Sequence, residues 1–138
     1  MNELELDIIS PEKKVYSGKI KSVTIPGTKG NFQVLYNHAP LISTIEIGII
    51  KLVLTNDSTL VFTTSGGSAE VVSNKVLILA DTVEPVESID IERAKKAKER
   101  AEDRLKKREG IVVDVDRARI ALARSLNRIN ASEKYYSA

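Results

Sequence analysis

The chain has 138 residues, 42% of them apolar and 29% charged, with a formal net charge of +2. That composition suits one soluble domain, or one small domain with an appendage, and the net charge is too small to point to nucleic acid. The absence of cysteine and the single histidine, His38, exclude a disulfide framework, a thiolate metal site and a multi-histidine metal site. The opening MNELELDIIS lacks the basic and apolar regions of a signal peptide or the marks of an imported precursor. The apolar run near Ile47–Leu54, broken by Gly48 and Lys51, is too short to span a bilayer, so a position on the cytosolic side of a membrane is expected.

The first 84 residues read as short strands. Leu4, Leu6 and Ile8 alternate with Glu5 and Asp7, the period of a half-buried strand. A second run, Ile20, Val23 and Ile25, stops at Pro26-Gly27, and Phe32–Leu35 follows Gly30. Ile47–Thr55 leads into a turn at Asn56-Asp57, with Thr59–Thr64 as the return strand. Gly66-Gly67 interrupts, Ala69–Val72 resumes, Asn74 turns, and Val76–Ala80 closes the series. Turns at this spacing predict an antiparallel sandwich or barrel and argue against a parallel sheet with crossover helices.

Pro85 ends that regime, and the apolar period becomes helical. Ser88 is the expected N-cap, with Asp90 and Glu92 placing negative charge in the first turn. Ala94, Ala97, Ala101 and Leu105 form a narrow stripe before Gly110 interrupts. A second helix restarts near Asp114 or Asp116, with Ala118, Ala121, Leu122, Ser125, Leu126 and Ile129 on its apolar face. The expected architecture is therefore α+β: a β-sandwich domain over residues 1–84, then an antiparallel two-helix hairpin over 85–138. The alanine-rich seam is thin and its residues are good helix formers, which is what a movable element needs, while composition alone favours a hairpin that merely packs on the sandwich.

Charge follows the same division. Residues 1–84 hold seven lysines, no arginine and nine acids, a balance of −2; residues 85–138 hold all eight arginines and a balance of +4. Arg93, Arg100 and Arg104 recur at offsets 0, +7 and +11, and Arg117, Arg124 and Arg128 repeat those offsets on the second helix. Each trio falls within a strip about 40° wide on a helix. Forked guanidiniums so arranged suit a polyanion such as a nucleotide triphosphate, an acidic protein surface, or simply solvent. Catalytic patterns are missing: no phosphate-binding GxxxxGK[ST] loop, and no nucleophile elbow at Ser65-Gly66-Gly67-Ser68. His38, in Tyr36-Asn37-His38-Ala39-Pro40, reads as a hydrogen-bonded loop histidine rather than the base of an enzyme.

Taken in order, these segments resemble the ε subunit of bacterial and chloroplast F-type ATP synthases. Gly30-Asn31-Phe32-Gln33-Val34-Leu35-Tyr36-Asn37-His38-Ala39-Pro40-Leu41 is similar to that family's glycine- and His-x-Pro-containing signature. Ser65-Gly66-Gly67-Ser68-Ala69-Glu70-Val71 and Val76-Leu77-Ile78-Leu79-Ala80-Asp81 resemble its later strands, and Ile89-Asp90-Ile91-Glu92-Arg93-Ala94 the I/L-D-x-x-R-A segment that opens its hairpin. Two positions depart: the family usually has glycine at Gln33 and a large apolar residue at Ser68.

The resemblance implies a non-catalytic rotor subunit that couples proton flow to ATP synthesis. Its sandwich would bind the γ subunit and the membrane c-ring. Its hairpin would restrain ATP hydrolysis by extending toward the catalytic β and α subunits. It implies no required cofactor, no metal and no nucleic acid. ATP enters only as a regulatory ligand held by Ile89, Asp90, Arg93 and Ala94, joined by Glu84, Arg100, Arg124 and Arg128. Localisation would be peripheral, through the complex, on the cytoplasmic face of a bacterial plasma membrane or the stromal face of a thylakoid. A stand-alone ATP-sensing module is the alternative.

Overall fold

The computed structural model describes residues 2–107 and 112–135. The chain divides into two compact units, Met1–Pro85 and Val86–Ala138. The first unit contains β1 (Leu4–Ile9), β2 (Lys14–Gly27), β3 (Gly30–Val34), β4 (Leu41–Ile45), β5 (Gly48–Leu54), β6 (Thr59–Thr64), β7 (Gly67–Val72), β8 (Lys75–Ala80) and β9 (Val83–Pro85). The second contains a 3-10 turn at Val86–Ser88, α1 (Ile91–Lys107) and α2 (Val112–Tyr135).

The sandwich is built around β2, a 14-residue strand that serves both layers. One layer runs β1-β8-β7-β4, and the other places β5, β6 and β9 beyond β2. β1 and β4 sit at the two sides of the first layer, and each also pairs with β2, so the hydrogen-bonded path closes on itself. Closure of this kind hides strand edges that would otherwise template aggregation. A register shift between Ile20 and Ser22 in the β2–β5 pairing gives the long strand its bend. Alternation puts Leu4, Leu6 and Ile8 of β1 inside with Ile20, Val23 and Ile25 of β2, Ile50 and Leu52 of β5, and Ile78 of β8, all essentially inaccessible to water.

The pairings are antiparallel as expected, apart from β1 beside β8, which is parallel, Leu6 standing opposite Val76. No crossover helix is needed, because these strands are joined by the whole intervening meander rather than by a βαβ unit. Sequence periodicity misses β4 and the first half of β2. In β4 the pattern is diluted by Ser43 and Thr44, and Ile42 points outward at 79% exposure. In β2, Lys14–Lys19 carries few apolar residues and is held by its ladder to β1.

The turns behave as their residues dictate. Asp57 and Asn74 adopt positive φ (70° and 63°), and the Asn56 side chain accepts the Ser58 N–H at 3.0 Å. Gly67, at φ 150°, is fixed by a close approach: a Cβ there would lie 2.0 Å from the Leu79 carbonyl oxygen. Gln33 stands in β3 opposite Thr24 without a positive φ, and Ser68 stands in β7 between Thr44 and Leu79. Burial pushes the Tyr16 phenol above its ordinary value.

In the second unit α1 packs on α2. The residues between Lys107 and Val112 can reach at most about 17 Å, whereas α1 is about 25 Å long, so the two helices must run antiparallel. Gly110, expected to end the first helix, lies outside the described residues. Two expectations are corrected. The helix N-cap is Asp90, not Ser88: its Oδ1 accepts the Arg93 N–H at 3.1 Å, and α1 begins one residue later. Ser88 is taken up in the preceding 3-10 turn, where the Ile89 N–H donates to Val86 O at 3.2 Å. And α2 begins at Val112, ahead of both Asp114 and Asp116.

Candidate functional site

The seam of the hairpin decides where its arginines go. Ala94 and Ala101 of α1 are buried, with Ala97 and Leu105 half-buried beside them. On α2 the buried residues are Ala118, Ser125, Ile129, Ala131 and Ser132. Leu126, expected on the apolar face, is 37% exposed, and Ser132 occupies the seam one turn on from Ile129 instead. Ser125 is the largest of the fully buried hairpin side chains, and its hydroxyl donates to its own helix at Ala121 O, 2.9 Å away.

At about 100° per residue, Arg93, Arg100 and Arg104 lie about 60–120° round the helix from the buried Ala94 and Ala101, about 90° on average. Arg117, Arg124 and Arg128 lie at about the same angle, in the same rotational sense, from Ala118 and Ser125. Equal rotations about two antiparallel axes bring both strips to the same side of the hairpin. Arg93, Arg100, Arg104, Arg117 and Arg124 are exposed and Arg128 is half-buried, so this side is a guanidinium-lined face as far as Arg128, beyond which the same strip of α2 carries the buried Ala131.

Antiparallel packing also sorts the arginines along the axis. Residues at the start of α1 lie beside the end of α2, consistent with the Val86–Ser88 turn packing on α2. Arg93 therefore stands at the level of Arg124 and Arg128, and Arg100 follows about 10 Å further along α1. Arg104 and Arg117 lie toward the other end. Of the expected ligand residues of the second unit, Arg93, Arg124 and Arg128 thus share one end of this face, with Ile89 and Asp90 leading into it, while Arg100 stands nearer the level of Arg117. Ala94 is not available there as a contact surface, because its side chain is 4% exposed and belongs to the seam. Glu84 belongs to the first unit, on β9, where Thr63 Oγ1 donates to its Oε1 at 3.4 Å. Sequence spacing located the strips but missed that Asp90 is spent on the helix terminus, since Ser88 and Asp90 are both good caps.

Among the described residues of the first unit, the histidine and an open hollow have local roles and linings. The His38 Nδ1–H donates to Ala39 O at 2.7 Å, and the backbone His38 N–H to Leu35 O at 3.1 Å, so the histidine shapes its own loop. An open hollow of about 520 Å³ is lined by Asn2, Glu3, Lys21, Leu35, Tyr36 and Thr55, with no nucleophile–base pair among them. Among the described residues there is no cluster of metal-ligating side chains and no helix long and apolar enough to cross a membrane. The outer faces of β4, β7 and β8 expose Ile42, Val72 and Leu79, a surface able to meet another protein.

Known proteins match both units. Residues 3–86 match the family described as ATP synthase, Delta/Epsilon chain, beta-sandwich domain, and residues 87–133 the long alpha-helix domain of the same chain. The ATP synthase epsilon chain of Desulfitobacterium hafniense (strain Y51) is 52% identical over 127 residues, covering 92% of this chain and 94% of the relative. That of Desulforamulus reducens is 44% identical over 128 residues, covering 93% and 96%. In fold, the chain resembles one from the Euglena gracilis mitochondrial ATP synthase, with a TM-score of 0.83 at 24% identity over 94% of this chain and 81% of that one. A chain from the central stalk and c-ring of the Tetrahymena thermophila enzyme gives 0.64 at 13% identity, covering 94% and 96%. From its first strand to its last helix, the chain belongs to the ATP synthase delta/epsilon family, as a member of the epsilon type.

Proposed function

We propose that the protein is a non-catalytic central-stalk subunit of a proton-translocating ATP synthase whose hairpin restrains ATP hydrolysis and responds to ATP. The observation that carries the reading is the contrast within the chain: a closed aliphatic sandwich, followed by a hairpin with a seam of alanine and serine and arginines along one side. The sandwich supplies a fixed body for the γ subunit and the c-ring, with Ile42, Val72 and Leu79 as apolar contacts. The protein then sits at the membrane through the complex, on the cytoplasmic face in a bacterium.

The arginine face meets negative charge in two settings. With the hairpin closed, Arg93, Arg100, Arg124 and Arg128 hold the phosphates of ATP, with Ile89 and Asp90 at the approach. With the hairpin extended, arginines of α2 pair with acidic groups of the catalytic β and α subunits. ATP shifts the balance only by its preference for the closed state, so the ligand acts as a regulator and not as a substrate. Whether ATP sensing operates apart from the motor is the second reading, favoured by the arginine face alone.

The test uses a chain ending after Pro85, which keeps β9 paired with β6. Reconstituted with the remaining subunits, it should still assemble on γ while hydrolysis rises to the unrestrained level; unchanged restraint would sink the regulatory reading. Calorimetry with ATP on the full chain should give heat that falls at least tenfold in affinity in Arg93→Ala and Arg124→Ala, each removing a charge-assisted contact of about 1.5–3 kcal/mol. No heat with the unsubstituted chain at millimolar ATP would remove ATP sensing and leave the rotor role standing.

A further inference from the structure

Strand β2 loses its neighbours at one point. Ile20 pairs with both Leu4 of β1 and Leu54 of β5, and Thr24 with both Gln33 of β3 and Lys51 of β5, so β1 and β3 follow one another along the same edge of β2. β3 ends at Val34, opposite Val23, and β1 begins at Leu4, opposite Ile20, which leaves Lys21 and Ser22 without a strand partner on that edge. On the other edge the register shift between Ile20 and Ser22 passes over Lys21. The hollow of about 520 Å³ opens at this gap in the sheet, and its volume is in the range of small-ligand pockets. Leu35 and Tyr36, 52% and 40% exposed, form its apolar wall, and Glu3 and Lys21 are its charged groups.

The two charges are in different situations. Continuing the β1–β2 register would set Glu3 opposite Lys21, but the Lys21 ammonium pairs with Asp57 instead. Glu5 takes Lys75 and Asp7 takes Lys14, so the half-buried Glu3 carboxylate is left without an ion pair among the described residues. Glu3 and Asp57 against Lys21 give a local balance of −1, in a unit whose own balance is −2. Such a place disfavours an anion and favours a cation with an apolar stem. We infer that the hollow is a docking subsite for an arginine side chain presented by a partner protein, its guanidinium on the Tyr36 ring and forked to Glu3, its stem along Leu35. A planar guanidinium can stack and fork at once, which a lysine ammonium cannot. The inference is independent of the ATP-binding reading, since none of these residues belongs to the hairpin.

The experiment titrates N-acetylarginine amide into the full chain without nucleotide and follows the backbone amides by NMR. Saturable shifts are expected at Glu3, Lys21, Tyr36 and Thr55, at roughly millimolar concentration for one side chain on its own. N-acetylcitrulline amide, the uncharged isostere, should bind the unsubstituted chain about tenfold more weakly, and N-acetylarginine amide should bind Glu3→Gln about tenfold more weakly, each comparison removing one charge-assisted contact. Tyr36→Phe should keep the affinity and Tyr36→Leu lower it about threefold, because the ring face and not the hydroxyl is used. Absence of saturable shifts at these residues overturns the inference. Equal binding by the citrulline compound overturns it too, and that comparison stands even where Glu3→Gln disturbs the fold. A folded Glu3→Gln that binds like the unsubstituted chain has the same force. n-Butylamine binding as tightly as the arginine compound would make a simple amine the occupant and remove the assignment to arginine.

Discussion

The sandwich and the hairpin are built from different-sized bricks. In the first unit the fully buried positions are mostly leucine, isoleucine and valine, each contributing about 1.5–3 kcal/mol when it leaves water. In the second they are mostly alanine and serine, whose burial contributes a small fraction of that. Helix α1 compensates locally, through alanine propensity, a capped start at Asp90 and Glu92 in its first turn. Its backbone holds together more strongly than its packing does. A β-sandwich has no such option, because its contacts join residues distant in sequence and vanish together when the core opens. One unit is thus held together mainly by its core and the other mainly by its own helices.

That contrast can be broken most severely at Gly67. Gly67→Ala puts a methyl group against the Leu79 carbonyl at an unfavourable φ, with nothing flexible to yield. A loss of about 4 kcal/mol or more is expected in urea unfolding of the sandwich, in the range reserved for backbone strain and overpacking. A change below about 1 kcal/mol would show that β7 and β8 are not held as closely as described. An intermediate effect is expected at the seam: Ala101→Leu should wedge the helices apart at about 1–3 kcal/mol, read as faster amide exchange through α1 and α2. Unaltered exchange would mean that the seam is not where the alanines lie. The smallest effect is expected at Ser125, whose hydroxyl serves only a carbonyl of its own helix. Ser125→Ala should change hairpin stability by no more than about 0.5 kcal/mol in thermal melts. A loss of 2 kcal/mol there would identify a polar clasp across the seam.

How much was legible beforehand depended on how local the cause was. The strands rich in leucine and isoleucine, the turns at Asn56-Asp57 and Asn74, and the helical period after Pro85 are each written within a few residues. The arginine strips were equally visible, since helical geometry converts spacing into direction. The strand β4 was not, because Ser43 and Thr44 gain their place from a ladder to β7 some 25 positions away. The N-cap was misplaced at Ser88, because the 3-10 turn that absorbs Ser88 and leaves the cap to Asp90 is not written in the local sequence.

Taken alone, the order of residues determined that a β-rich body precedes an arginine-bearing helical pair, because hydrophobic period and charge are properties of short stretches. Only tertiary structure decided that β2 would join both layers, that β1 would lie parallel to β8, and that the two arginine strips would share one side. Those outcomes depend on which distant segments close against each other. No local pattern records that choice, and the packing of the whole chain makes it.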